Sequence, residues 1–198
     1  MFEKILTILM ISIFLISNLR AQQILGISYD ISVPTSDTEQ FVSNTSLVGF
    51  GLDARKMTHS KYSYGITFHW NSFKDDRLEV LNEEGGNTIS IDDRSLESFP
   101  LMVNSHYYFF SDVESFRPFL GANLGTYFII TRRFVDGIKR SDTDWHFGLA
   151  PDVGFMLHFM QDVHVTLTLR YNYAFKTGGA SAQSYFSLLF GFVSVSLF

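Results

Sequence analysis

Asp144 to Phe175 reads DWHFGLAPDVGFMLHFMQDVHVTLTLRYNYAF. Every second residue from Trp145 gives Trp145, Phe147, Leu149, Pro151, Val153, Phe155, Leu157 and Phe159. Between them stand Asp144, His146, Gly148, Ala150, Asp152, Gly154, Met156 and His158. Period two marks a strand with two unlike faces. After Met160, Gln161 and Asp162 the alternation resumes, with Val163, Val165, Leu167, Leu169, Tyr171, Tyr173 and Phe175 on one face. A tight turn centred on Gln161 sets Asp152 opposite Arg170 and His158 opposite His164, all on the polar face. Both strands are about twice the roughly five to six residues usual in soluble sheets.

Six further segments alternate in the same way: 25–33, 46–55, 62–71, 98–107, 120–130 and 185–198. No helical period competes after the first residues. The connections between these strands run alternately long (34–44, 74–94, 132–143) and short (57–61, 110–115, 160–162), with a moderate one at 177–183. Eight strands with turns at one end and loops at the other fit an all-β, antiparallel, up-and-down transmembrane β-barrel. Pro100 and Pro151 lie inside strands, where each removes a ladder hydrogen bond, and predict local bulges or interruptions.

Composition narrows the class. The 198 residues suit one domain, and 46% hydrophobic content with a net charge of −5 excludes disorder and a basic nucleic-acid surface. With no cysteine, disulfides, thiolate catalysis and cysteine zinc sites are excluded. Met1 to Ala21 reads as a cleaved signal peptide, with Lys4 at its basic end and an apolar run from Ile5 to Ile16. The barrel domain then spans 22–198, and export would carry it to a bacterial outer membrane.

The charged residues indicate the solvent. Every lysine and glutamate after the leader falls in a connection or at a strand end, while the polar faces carry mostly Gly, Ser, Thr, Asn and Ala. That pattern suits a narrow lumen filled by side chains, with the bulky aromatic set facing lipid. An Arg on the lipid face at mid-bilayer would cost about 2 to 4 kcal/mol, so Arg170 should point inward. Asp30, Asp53, Arg55, His69, Arg117, Asp152 and Arg170 form the expected lumen polar network. The expected aromatic girdles are Trp70, Trp145, Tyr171 and Tyr173 towards the loops and Tyr62, Tyr64, Tyr107 and Phe159 towards the turns.

The pieces SFPLMVNSHYYF (98–109), FRPFLGANLGTYF (116–128), the 148–175 run and the terminal Phe198 resemble the small outer-membrane β-barrel family called porin-like or PorT-like, and more distantly the OmpA and OmpX barrels. The resemblance covers essentially all of 22–198. It implies outer-membrane lipid and lipopolysaccharide as surroundings, periplasmic chaperones in transit, a monomer, no cofactor, and assembly machinery that reads the last strand through Phe198. Which face that strand turns outward stays open: counting back from Phe198 puts Ser196 and Ser194 on the lipid side, whereas Val193, Val195 and Leu197 are the better apolar set.

The favoured role is structural or interactive, through the three long loops, without catalysis and with a plugged lumen. Three alternatives remain: a lipid-modifying enzyme using His69, His106 or His146 with Ser63, Ser98 or Asp144; a small-solute channel; and a secreted lipocalin-type carrier with the faces inverted. His158 and His164 lack a third metal ligand. An acidic cluster (Asp75, Asp76, Glu79, Glu83, Glu84, Asp92, Asp93) and a basic one (Arg132, Arg133, Lys139, Arg140) offer binding of cations and of lipopolysaccharide phosphates, or pairing with each other.

Overall fold

Long alternating segments whose neighbours in sequence are also neighbours in space can satisfy every backbone group by closing on themselves. The computed structural model describes residues 23–58, 61–83, 86–110, 115–135, 138–160 and 162–196, and the side chains of all of these except 77–91 and Ser196. The expected leader, Gln161 and Phe198 lie outside the described residues. Eight strands run β1 (Gln23–Thr35), β2 (Gly49–Met57), β3 (Tyr62–Glu83), β4 (Gly86–Tyr108), β5 (Phe116–Val135), β6 (Ile138–Met160), β7 (Val163–Ala174) and β8 (Gln183–Ser196). They form one closed antiparallel barrel in sequence order, with β8 pairing back onto β1. Asp152 faces Arg170 and His158 faces His164 across the β6–β7 hairpin, and the register shifts between His158 and Met160.

The prolines interrupt pairing without shifting it. The β3–β4 register continues unchanged from Phe68↔Leu101 to Asn71↔Ser98 across the gap at Pro100, and β6–β7 does the same across Pro151.

Two of the expected loops are strands. Within them, residues 74–83, 86–94, 132–135 and 138–143 continue β3, β4, β5 and β6 beyond the barrel as two antiparallel pairs, which also pair with each other as far as Asp92↔Val135. β2 stops at Gly49↔Asn71 and β7 at Gly148↔Ala174, so a four-stranded extension stands above one side of the barrel only. The third expected loop contains a helix, α1 (Ser36–Phe41). The chain enters it through Ser36 in the left-handed region, at φ 51°.

Candidate functional site

The barrel turns its apolar side chains outward and its charges inward. Leu25, Ile27, Leu52, Ile66, Leu101, Val103, Leu120, Leu124, Val153, Leu169, Phe190 and Phe192 are exposed, while Asp30, Arg55, His69, Arg117, Asp152 and Arg170 are buried. Asp53 is partly exposed, with its carboxylate 2.5 Å from Arg55 Nε. Tyr62, Tyr64, Trp145 and Phe159 are exposed on the outer wall, and Trp70, Tyr107, Tyr171 and Tyr173 are half-buried there. An inverted, lipocalin-type arrangement does not fit this distribution.

Mid-lumen, the inward residues from six strands meet. Arg170 donates to Asp152 Oδ2 through Nε at 3.1 Å and Nη2 at 3.0 Å. Asn123 Nδ2 donates to the same oxygen at 2.8 Å. Arg170 Nη1 lies 2.7 Å from His69 Nε2. A guanidinium only donates, so that nitrogen accepts and the imidazole proton sits on Nδ1, which donates to Asp30 Oδ2 at 2.6 Å. Ser28 Oγ donates to the other Asp30 oxygen at 2.6 Å. His106 Nε2 stands 3.2 Å from Asp152 Oδ1. Below this layer Arg55 donates to Tyr108 Oη at 2.9 Å, and the Arg117 guanidinium lies 4.6 Å over the same ring.

Two glycines admit the histidines. Gly51 faces His69 and Gly121 faces His106 across adjacent strands. A Cβ on Gly51 would run into the His69 ring, and one on Gly121 into the His106 ring and Asp152 Oδ1. The remaining space beside the network is about 40 Å³, enough for the centres of a few water molecules.

Above and below, the lumen becomes apolar. At the turn end Ile24, Met57, Tyr108, Phe119, Met156 and Val193 pack together, with Val195 against them. At the loop end the cluster is Val42, Phe73, Leu96, Met102, Tyr127, Ile129, Ala150, Ala174 and Tyr185, with Phe41 against it. Helix α1 serves this end: Thr38 Oγ1 donates to Gln183 Oε1 and accepts from the Ser184 N–H, both at 2.8 Å. Residues 36–42 are therefore packed on the barrel mouth and are not a free surface loop.

The expectation that the bulky aromatic set faces lipid is corrected here in part, since among the described residues Phe73, Tyr108, Phe119, Tyr127 and Tyr185 are buried inside the barrel. Aromatic doublets carried the signal. In Tyr107–Tyr108, Tyr127–Phe128 and Tyr185–Phe186 the two neighbours must face opposite ways, so one of each enters the lumen. The last strand is also resolved: Ser194 faces out, and Val193 and Val195 face the turn-end cluster.

Ser63, Ser98 and His146 bond elsewhere than in the expected hydroxyl–imidazole pairs, while His69 Nε2 lies 2.8 Å from the buried Thr67 Oγ1. His146 Nδ1 is 2.8 Å from the Phe175 carbonyl oxygen, Ser63 Oγ donates to Tyr108 Oη at 3.4 Å and Ser98 Oγ pairs with Tyr185 Oη at 3.0 Å. His158 Nδ1 and His164 Nε2 lie 3.5 Å apart at the turn end, and no group of three metal-ligating side chains is found among the described residues.

In the extension, Asp92 is buried between Arg94 and Arg133, and Arg132 pairs with Glu97 at 2.8 Å. The basic and acidic clusters thus partly neutralise each other. Hydrogen bonds from Arg133 and Arg94 hold the Asp92 carboxyl well below the usual carboxylate range, outweighing its burial.

No family model and no curated protein matches the chain. Solved structures do match in fold. Neisserial surface protein A is 14% identical with a TM-score of 0.57, over 87% of this chain and 96% of that one. The attachment invasion locus protein of Yersinia pestis, Ail, in complex with the heparin analogue sucrose octasulfate, is 11% identical with a TM-score of 0.54, over 90% and 100%. A major outer membrane protein from Thermus thermophilus is 11% identical with a TM-score of 0.54, over 89% and 99%. The chain has the fold of the small eight-stranded outer-membrane barrels, the OmpA/OmpX type.

Proposed function

We propose that this chain is an outer-membrane β-barrel with a closed lumen, which passes no solutes, catalyses nothing and presents its four-stranded extension at the cell surface. The observation that carries the reading is the inside-out distribution of side chains. A band of exposed Leu, Ile, Val and Phe surrounds a charged interior, which is stable only where lipid replaces water outside. Closure is supported by the two apolar clusters that bracket the polar layer, since a permeant ion would have to shed its water twice. The termini and short turns then lie in the periplasm and the extension outside. His69, His106 and His146 are buried, which favours an interactive role over the enzymatic one.

The test is reconstitution of the full chain. Expected are heat-modifiable gel mobility, resistance of the barrel to protease in vesicles, and no unitary current in planar bilayers. Reproducible single-channel steps would overturn the closed lumen. Recovery of a folded protein from the periplasm without detergent would overturn the membrane reading.

A further inference from the structure

At the turn end of the barrel His158 and His164 face each other across the β6–β7 hairpin. The His158 N–H bonds away from β7, to the Ser115 carbonyl oxygen. The two histidines are therefore a non-hydrogen-bonded pair, the kind that brings cross-strand side chains closer. Just beyond them β6 advances two residues, from His158 to Met160, while β7 steps back one, from His164 to Val163. Such a bulge re-aims side chains where a ladder ends.

His158 is exposed and His164 half-buried. Their rings are inclined at 69° with centroids 5.1 Å apart, and His158 Nδ1 lies 3.5 Å from His164 Nε2. A good hydrogen bond between ring nitrogens would draw them to about 3.0 Å. Two nitrogens sharing a tetrahedral ion, at about 2.1 Å from each, lie about 3.4 Å apart. The spacing matches a shared ion better than a shared proton. His164 Nδ1 is buried without a partner, so Nε2 is the nitrogen that this ring offers to a ligand.

We propose that His158 Nδ1 and His164 Nε2 chelate one borderline divalent metal ion, zinc or copper(II), which ties β6 to β7 beside the bulge. Neutral imidazole suits such ions, whereas magnesium and calcium take oxygen ligands. No third protein ligand joins the pair among the described residues, so water fills the remaining positions. Two charges of opposite sign act on His164, Asp162 from the turn and Arg117 from β5. The carboxylate is an acceptor for metal-bound water, and the guanidinium opposes the ion, so binding depends on both imidazoles. In the membrane placement proposed above the site opens to the periplasm. The chelate itself rests on the hairpin geometry alone.

The full chain is refolded in detergent micelles, checked by heat-modifiable gel mobility, and titrated with copper(II), zinc or magnesium alone. One copper per chain is expected, with two imidazole nitrogens coupled to it in electron paramagnetic resonance, with zinc as a competitor and no response to magnesium. His158→Gln and His164→Gln should each weaken binding at least about tenfold and leave one nitrogen coupled. Zinc at about 100 times its dissociation constant should raise the folded-to-unfolded ratio in urea about 100-fold, and should leave the double variant unchanged. A folded wild type that takes up no copper overturns the site. So does a folded single variant with wild-type affinity, because the ion is then held elsewhere, and so does magnesium that displaces zinc, because the ligands are then oxygens.

Discussion

The middle of the lumen and its two ends are built on opposite principles. The middle holds Asp30, His69, Asp152 and Arg170 in a hydrogen-bonded network; the ends hold Phe73, Tyr185, Met156 and Val193 in contact with other apolar groups. A buried ion pair adds little net stability, but each partner is expensive to leave alone. Apolar packing behaves differently, since every removed methylene costs a similar small amount. The middle therefore fixes which residues face each other, and the ends supply cohesion and exclude water.

The largest expected effect comes from breaking the middle on one side. Arg170→Leu removes the guanidinium from the buried Asp152 carboxylate, leaving only Asn123 and His106 beside it, and should cost about 4 kcal/mol in urea unfolding from vesicles. Asp152→Leu combined with Arg170→Leu should recover most of that loss; a double variant as unstable as the single one would mean that the pair contributes strongly in its own right. Next comes the loop end, where Phe73→Ala should cost about 3 kcal/mol in the same measurement. A loss below about 1 kcal/mol there would show a mouth that collapses around the missing ring.

The last strand separates inside from outside in a single step. Val193→Ser should destabilise by about 1.5 kcal/mol, because it puts a hydroxyl among apolar side chains at the turn end. Ser194→Val, on the outer wall, should leave stability unchanged or raise it. Opposite signs check the face assignment, and equal signs would reverse it.

The smallest effect lies outside the barrel. Asp92 has a depressed carboxyl value, so its pairing with Arg94 and Arg133 is fully present above its unfolded value near pH 4 and is lost only as pH falls through the lower folded one. Amide exchange in the extension should accordingly be the same at pH 7 and pH 5, after correction for intrinsic rates. Asp92→Asn should make the extension exchange faster at both.

Much of this architecture was legible in the sequence because one face is apolar wherever the wall meets a single solvent. The hairpin from Asp144 to Phe175 shows its register for that reason, and the Asp152↔Arg170 pairing follows from turn length alone. Alternation failed where both faces share one environment. Residues 74–94 and 132–143 carry charges on successive positions, so paired strands there look like loops. It failed again at the lumen ends, where inward and outward faces are both apolar, as at Val193 and Phe192. Helix α1 was invisible for another reason: six residues are too few to display a helical period.

The unequal strand lengths give the molecule a front and a back. From Asn71 to Glu83 and from Gly148 back to Ile138 the wall continues for roughly 40 and 34 Å of strand, while β1, β2, β7 and β8 stop near the barrel mouth. In the membrane placement proposed above, a bulky neighbour would meet a tall screen on one side. On the other it would meet only the low rim and the shallow apolar hollow between Leu25, Leu52 and Phe192. In that placement height alone would sort lateral approach, before any chemistry at the contact is tried.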